Sequence, residues 1–447
     1  MNDVSNQLPG AETLEGLVRL ALDEAKALGV DQAEVAASHD TGLSATARLG
    51  EVENLEYTND RGIWVTVYRD SRKGSASTSD TRPESIREAV AKASSIASFT
   101  AADEHSGLAD ADLMCTDVLD LDLNHPWDID ADRAIELAIE CEAAALAVDK
   151  RINNSEGATL STNEGVRAYG NSHGFVGSFS SSNHSISCIV LGKQGEDMQR
   201  DYYYSTARDP DELEDIVHIG QRAAQRTVDR LGARKISTRR TPVIYRPELA
   251  RGFIGHAVAA VSGGAQYRRS SFLLDAIDEK IFPDFVNVQE RPHLKKAQAS
   301  TAYDAEGVAT WNRDIFAGGV LKDYVLSSYS ARRLGRKTTA NAGGTQNLLV
   351  PGNAKDLDEL LQSMGTGLLV SELIGQGVNG VTGDYSRGAV GHWVENGEIQ
   401  YPVHEVTIAG NLRELYQRIE MIGNDQDLRG GIRCGSLLVG EMTVAGS

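Results

Sequence analysis

The chain of 447 residues is poor in several things, and each shortage excludes a class of protein. It has no apolar run of about 18 residues, so no membrane-spanning helix is predicted. Its opening stretch, MNDVSNQLPGAETLEG, is polar and acidic, which predicts no secretory signal. Cysteine occurs only at positions 115, 141, 188 and 434, without a C-x-x-C pair or a framework spacing. That argues against a disulfide scaffold and predicts free thiols in a reducing, cytoplasmic setting. Basic residues are outnumbered, 44 against 64 acidic, for a net charge of −20. A general nucleic-acid surface needs a basic face, so neither nucleic acid nor membrane is an expected partner. No Walker phosphate loop is present.

What is there is helical spacing at both ends of strand-rich stretches. Apolar residues at Leu14, Leu17, Val18, Ala21 and Ala25 predict a helix over Glu12–Leu28, with Gly29 as its stop. Alternation then predicts strands over 32–38, 43–49, 52–58, 62–69 and 73–78, and Pro83 opens a closing helix to about Ala97. The plan recurs: a helix over Ala131–Val148, strands over 152–158, 158–163, 165–171, 174–182, 185–192 and 198–206, and a closing helix from Asp209-Pro210-Asp211-Glu212 to about Leu231. This reads as an internal duplication. Between the copies, Asp110–Asp132 holds eight aspartates. Asp128, Asp130 and Asp132 have calcium-loop spacing, but Arg133 stands where Gly is needed and Ile139 where Glu is needed. A solvated linker with a helix cap is the better reading. After a strand at Thr241–Tyr245 and an apolar helix at Pro247–Val261 ending at Gly263-Gly264, short strands and glycines dominate. Helices are expected only at Leu357–Met364 and Leu412–Ile422. In the glycine-dense stretch Gly365–Leu412, strands are predicted at 368–374, 388–395 and 399–403, with Asn396-Gly397 as a hairpin turn. The expected fold class is α+β: a duplicated antiparallel N-terminal region, with repeats over 12–110 and 125–235, followed by a mostly β domain over 236–447.

Three motifs tempt. Gly170-Asn171-Ser172-His173-Gly174 matches the nucleophile elbow, but a strand follows where a helix is required. Gly375-Gln376-Gly377-Val378-Asn379-Gly380 matches a dinucleotide fingerprint, again with no helix after it. His404-Glu405 lacks a second His four or five residues on and sits in β-branched alternation. Each reads as strand or turn. The pairs Arg268-Arg269 and Arg332-Arg333, with Lys337, stand out in an acidic chain. They read as solvated charge, internal ion pairs, or contacts to an acidic partner or a peptide carboxylate. Arg268, Arg269 and Tyr385 are the candidate substrate contacts.

The runs GTGLLV, TGDYSRGA, WVENGEIQYPV and EVTIAGNL resemble the C-terminal region of the PmbA (TldE) branch of the bacterial TldD/PmbA proteins. So do SGGAQYRRSSFLLD (Ser262–Asp275) and the tail Cys434-Gly435-Ser436-Leu437-Leu438 with Glu441-Met442 and Ala445-Gly446. In the TldD branch the corresponding helix carries His-Glu-x-x-x-His, two zinc ligands and a general base. Here His256 stands, but Ala257 replaces the Glu and Val261 the second His. A cysteine near the TldD C-terminus is thought to complete the metal site; Cys434 matches it, and Arg433 beside it is expected to lower the thiol pKa. The resemblance therefore implies a chain with no catalytic residues and no metal of its own, His256 and Cys434 being the candidates for any residual role. It implies a TldD-like, zinc-bearing partner, or self-pairing as a dimer through the C-terminal region. It also implies cleavage of unfolded or small peptides: the family matures microcin precursors, degrades an antitoxin and was linked to DNA gyrase modulation. Two alternatives stay open. One is an independent hydrolase using Cys434 with His256 or His404; the other is a non-enzymatic binding protein linked to gyrase.

Overall fold

The computed structural model describes residues 8–446; the rest of the expected loose N-terminal tail lies outside that range. The first unit runs α1 (Ala11–Ala27), β1 (Gln32–Arg48), β2 (Glu51–Arg69), β3 (Arg72–Thr78), α2 (Pro83–Ala97). The second runs α3 (Ala131–Leu146), β4 (Ile152–Asn171), β5 (Val176–Gln194), β6 (Asp197–Ala207), α4 (Ile216–Asp229). Both are helix, three-strand antiparallel meander, helix. They join along an antiparallel β1–β4 seam into one six-stranded sheet, β3-β2-β1-β4-β5-β6. The duplication is therefore a pseudo-two-fold arrangement about that seam.

The strands are fewer and longer than alternation suggested. The gaps expected at 39–42 and at 164 lie inside β1 and β4 because cross-strand neighbours hold them: Gly42 faces Thr58 on one side and Asn163 on the other. Glycine weakens a strand but does not end one that is paired along both edges. The long strands carry two cores on one face. Ala33, Val35 and Ala37 of β1 pack under α1 and α2, while Leu43 and Ala45, of the same parity, pack under α3. Strand side chains alternate with period two, so equal parity means the same face. Helices α3 and α4 approach closely at Gly220, where a Cβ would stand 2.1 Å from the Cys141 carbonyl oxygen. One boundary differs from expectation. Asp209 and Pro210 open a single 3-10 turn, Pro210–Glu212, and α4 begins later, capped by Asp215.

The acidic segment between the units is a strap more than a solvated linker. Asp130 does cap α3, accepting from the Arg133 N–H at 2.8 Å. But Leu121 and Leu123 are buried, Cys115 N–H donates to Gly307 O at 2.9 Å, and Ser182 N–H donates to Leu123 O at 2.9 Å.

The C-terminal region contains β7 (Arg239–Tyr245), α5 (Pro247–Ala260), α6 (Gly263–Tyr267), β8 (Val288–Glu290), β9 (Arg313–Ala317), β10 (Val320–Leu321), α7 (Ser328–Arg333) and β11 (Leu348–Val350). It continues with α8 (Leu357–Met364), β12 (Gly367–Ile374), β13 (Asp384–Glu395), β14 (Glu398–Asn411), α9 (Leu412–Gln417), β15 (Ile419–Ile422), β16 (Ile432–Cys434) and β17 (Leu437–Ala445). The sheet β14-β13-β12-β7-β17-β15 closes through a β14–β17 pairing into a barrel. A smaller sheet, β10-β9-β8-β11-β16, lies beside it. Asn396 and Gly397 have φ of 54° and 76°, the left-handed pair of a two-residue hairpin turn. Two helix expectations are corrected. Gly263 starts α6 instead of following a helix end, because Ser262 caps it. The predicted helix 412–422 stops at Gln417, and Ile419–Ile422 pairs with β17. Leu368, Leu369, Val370, Trp393 and Val394 are buried within this one chain, while Ile374, Val381 and Ile399 of the same glycine-dense stretch are exposed.

Candidate functional site

Helix α5 is where the residues singled out in the sequence converge. Its small residues allow close packing on β7, β12 and β16. Phe253 is fully buried among Tyr245, Tyr385 and Tyr416, and the Tyr416 hydroxyl donates to the Phe253 carbonyl at 3.0 Å. Tyr385 is thus a core residue at 2% exposure, its hydroxyl 3.5 Å from that of Tyr245, and is not placed to meet a substrate.

His256 is half-buried with its ring edge-on to Tyr385, centroids 6.2 Å apart. Burial, reinforced by Arg387, lowers its pKa and favours the neutral imidazole. Ala257 and Val261 are fully buried in apolar surroundings. Neither side chain has a lone pair, so this helix does not offer the ligand set and base that a catalytic zinc requires. Among the described residues, no three or more His, Cys, Asp or Glu side chains are grouped to hold a metal ion.

Cys434, on β16 against α5, is fully buried; its thiol donates to Gly435 O at 3.4 Å. Burial, with Asp425 adding to it, pushes the thiol pKa well up. This reverses the lowering expected from Arg433: a charge on the next residue does not compensate for loss of solvent. No hydrogen bond joins Cys434 to His256 or His404 among the described residues. Glu405 is exposed and pairs with Lys235 at 2.6 Å.

The arginine pairs also find places. Arg268 and Arg333 both stack over the Tyr267 ring, each 5.2 Å from its centroid. Arg269 pairs with Asp275 at 3.1 Å on the surface. Arg332 donates to the carbonyls of His105, Gly107 and Leu108 and so ties the strap to α7. Lys337 is exposed. Ser172 of the elbow-like motif sits in a hairpin turn, accepting from the Ala33 N–H at 3.0 Å.

Sequence reasoning missed a cleft of about 710 Å³ between the second unit and the C-terminal region. It lies at the start of α5 and is lined by Tyr203, Arg226, Arg246, Glu248, Asp427 and Arg433, among others. Its walls are charged. Arg226 holds Glu248 at 2.8 Å and reaches Asp201 at 3.4 Å; in an adjoining smaller pocket of about 210 Å³, Arg230 holds Asp201 at 3.2 Å and Glu372 at 2.5 Å. Arg429 holds Asp427 at 2.8 Å and stacks on Tyr204, 4.4 Å from its centroid. These residues are scattered from 201 to 433, with no local spacing to betray them.

Family models described as PmbA/TldA metallopeptidase domain 1, central domain and C-terminal domain match residues 33–97, 124–231 and 238–446. The chain is 48% identical over 97% of its length, and 96% of the relative's, to "Metalloprotease PmbA" of Escherichia coli O157:H7. It belongs to the PmbA branch of the TldD/PmbA family. Another PmbA-branch relative, from Haemophilus influenzae, is 47% identical over 98% of this chain and 97% of its own. A TldD homolog from Buchnera aphidicola is 22% identical over 86% of this chain and 83% of its own. Among solved structures, a protein of Bacteroides thetaiotaomicron named a putative modulator of DNA gyrase superposes with a TM-score of 0.92 at 29% identity, covering 97% of this chain and 99% of its own. TldE from Thermococcus kodakarensis shares the fold, with a TM-score of 0.84 at 20% identity, covering 97% and 100%. No helix among the described residues is long and apolar enough to cross a membrane.

Proposed function

We propose that this chain is the zinc-free subunit of a cytoplasmic metallopeptidase, acting on unfolded or small peptides with a TldD-like partner that activates water. The observation that carries the reading is the state of α5. At the two positions where the related branch places a base and a ligand, this chain buries Ala257 and Val261, fully enclosed by apolar neighbours. A side chain able to hold zinc or take a proton at either place would have to enter a packed core. The relatives nevertheless bear the name metalloprotease, which favours a chain that contributes to peptide hydrolysis through an assembly.

In this reading α5 and Cys434 serve packing. The charged cleft and the long paired sheet supply surfaces that hold an extended peptide or a partner. Without its partner the chain is expected to pair with itself. The cysteine-hydrolase alternative has the weaker support, because a buried thiol of raised pKa yields little thiolate at neutral pH. The binding-protein alternative linked to gyrase rests on the name of a structural neighbour.

The test is a peptidase assay on this chain alone, on a TldD-like subunit alone, and on the mixture, with elemental analysis of each. The expected result is cleavage by the mixture and no stoichiometric zinc in this chain. Cleavage by this chain alone that survives chelation and disappears in Cys434→Ser overturns the proposal.

A further inference from the structure

Three arginines of the cleft, Arg222, Arg246 and Arg433, join no ion pair among the described residues, and two of them, Arg246 and Arg433, also carry a buried N–H without an acceptor, at Nε in each. A buried N–H without an acceptor is costly, and because both side chains are only part-buried the rest of each guanidinium stays open to the cleft. The acids nearby are already engaged. Glu248 is held by Arg226 at 2.8 Å; Asp427 is held by Arg429 at 2.8 Å and Arg251 at 3.3 Å. Asp425 accepts from Ser436 N–H at 2.9 Å and from its hydroxyl at 2.7 Å. Burial lowers the pKa of Arg246 and Arg433, and for Arg433 nothing offsets it.

Both side chains spring from fixed backbone. Arg246 is the cap residue of α5, its N–H donating to Val370 O at 3.4 Å; Arg433 sits in β16, paired in register with Leu349. Rigid elements and a planar, forked donor are what recognition of a carboxylate needs. We propose that this cleft binds the C-terminal carboxylate of a short peptide, with Arg246 and Arg433 donating to it. A volume of about 710 Å³ leaves room for several residues beyond the carboxylate. The choice of a peptide rests on the metallopeptidase reading. The unmatched positive charge rests on the geometry alone. The substrate class that follows is peptides held by their C-terminal end.

Equilibrium binding by calorimetry tests this without cleavage. The probes are penta-alanine with a free C-terminus, the same peptide as a C-terminal amide, and inorganic phosphate, titrated into the full chain. The acid is expected to bind about tenfold or more tighter than the amide, as loss of a charge-assisted pair predicts. The preference is expected to vanish in Arg246→Gln and Arg433→Gln, each checked for folding by its circular dichroism melt. Equal binding of acid and amide by the wild-type protein overturns the proposal and needs no variant. So does phosphate binding that leaves peptide acid and amide indistinguishable. Acid preference with no cleavage by any mixture would sink the peptidase reading and keep the carboxylate site; cleavage with no acid preference would do the reverse.

Discussion

The two copies of the duplicated unit dock on the C-terminal region through opposite chemistry. The first copy meets it through acids. Glu34 accepts from the Tyr68 hydroxyl of its own copy and from the Tyr169 hydroxyl of the second at 2.8 and 3.0 Å, and its charge acts on the part-buried Glu306 of the facing turn, next to the buried Asp304. The second copy meets it through matched charges: Asp201, Arg226 and Arg230 of β6 and α4 against Glu248 and Glu372. A shared backbone plan thus says nothing about how each copy is used. The strand pattern was kept in both, while the two copies present different side chains to their neighbour, and only the second copy borders the charged cleft.

The paired junction should fail hardest when one member is removed. Asp201, 4% exposed, is shared by Arg226 and Arg230. Asp201→Ala leaves two buried guanidiniums short of a counter-charge and is expected to lose about 3–5 kcal/mol. Urea unfolding at neutral pH reads this directly. A loss below about 1 kcal/mol would show that the network is solvated and that the junction rests on packing.

The two junctions should also respond to pH with opposite sign. Burial, with Glu306 adding to it, pushes Asp304 up to about 7 against the pull of three backbone N–H groups. Its pKa in the unfolded chain is about 3.9. A folded pKa above the unfolded one means that stability is complete below about pH 4 and is lost as pH rises through about 7. Glu306 shifts the same way. Glu248 does the reverse: burial raises its pKa, but Arg226 more than offsets this and the net is a lowering, so its contribution is lost as pH falls. Between about pH 5 and 7, Asp304 contributes a slope of at most about 1.4 kcal/mol per pH unit. Asp304→Asn is expected to flatten the pH dependence of the urea midpoint in that window. Identical slopes in wild type and variant would remove Asp304 from the account.

Much of this architecture was legible in the sequence because it is local. Helices were expected where α1, α2, α3, α5 and α8 stand, α1 from its helical spacing and α2 from the Pro83 at its start, and the Asn396-Gly397 turn was read from two residues. The duplication showed as a repeated order of elements. The strand lengths were not legible, since the gaps expected at 39–42 and at 164 are closed only by cross-strand pairing. Nor was the end of α9, where pairing with β17 wins over helical spacing. At the site, the loss of base and ligand at Ala257 and Val261 was visible through resemblance to a family. The burial of Tyr385 and Cys434, and the presence of Arg246 and Arg433 on one cleft, depend on the packing of residues far apart in the chain, for which the sequence has no local mark.

A brace between the copies offers a smaller test. Glu142 of α3, 1% exposed, accepts from the N–H groups of Leu49 and Gly50 in the β1–β2 turn, both at 2.9 Å. The second copy thus caps a turn of the first. Glu142→Ala is expected to lose about 1–3 kcal/mol through two unsatisfied donors. Hydrogen exchange at Leu49 and Gly50 should rise with it. Unchanged exchange there would mean that the turn holds itself.

The smallest effect is expected where the copies differ most plainly. Strand β3 covers β2 only from Ile63 onward, so residues 51–62 form an open edge, paired on one side with β1. Val52, Leu55 and Tyr57 there are 48%, 40% and 58% exposed. Neither junction reaches them, and a charge placed on a solvated edge strand opposes wrong pairing instead of disturbing a core. Leu55→Lys and Tyr57→Lys are therefore expected to shift unfolding of the single chain by no more than about 0.5 kcal/mol. The informative readout is the dependence of the melting temperature on protein concentration. A second chain that pairs along this edge would make the wild-type melting temperature rise with concentration and would leave the lysine variants flat. If both behave alike and the variants lose more than about 1 kcal/mol at every concentration, the edge is packed within the chain, and the contrast between an open first copy and an engaged second one fails.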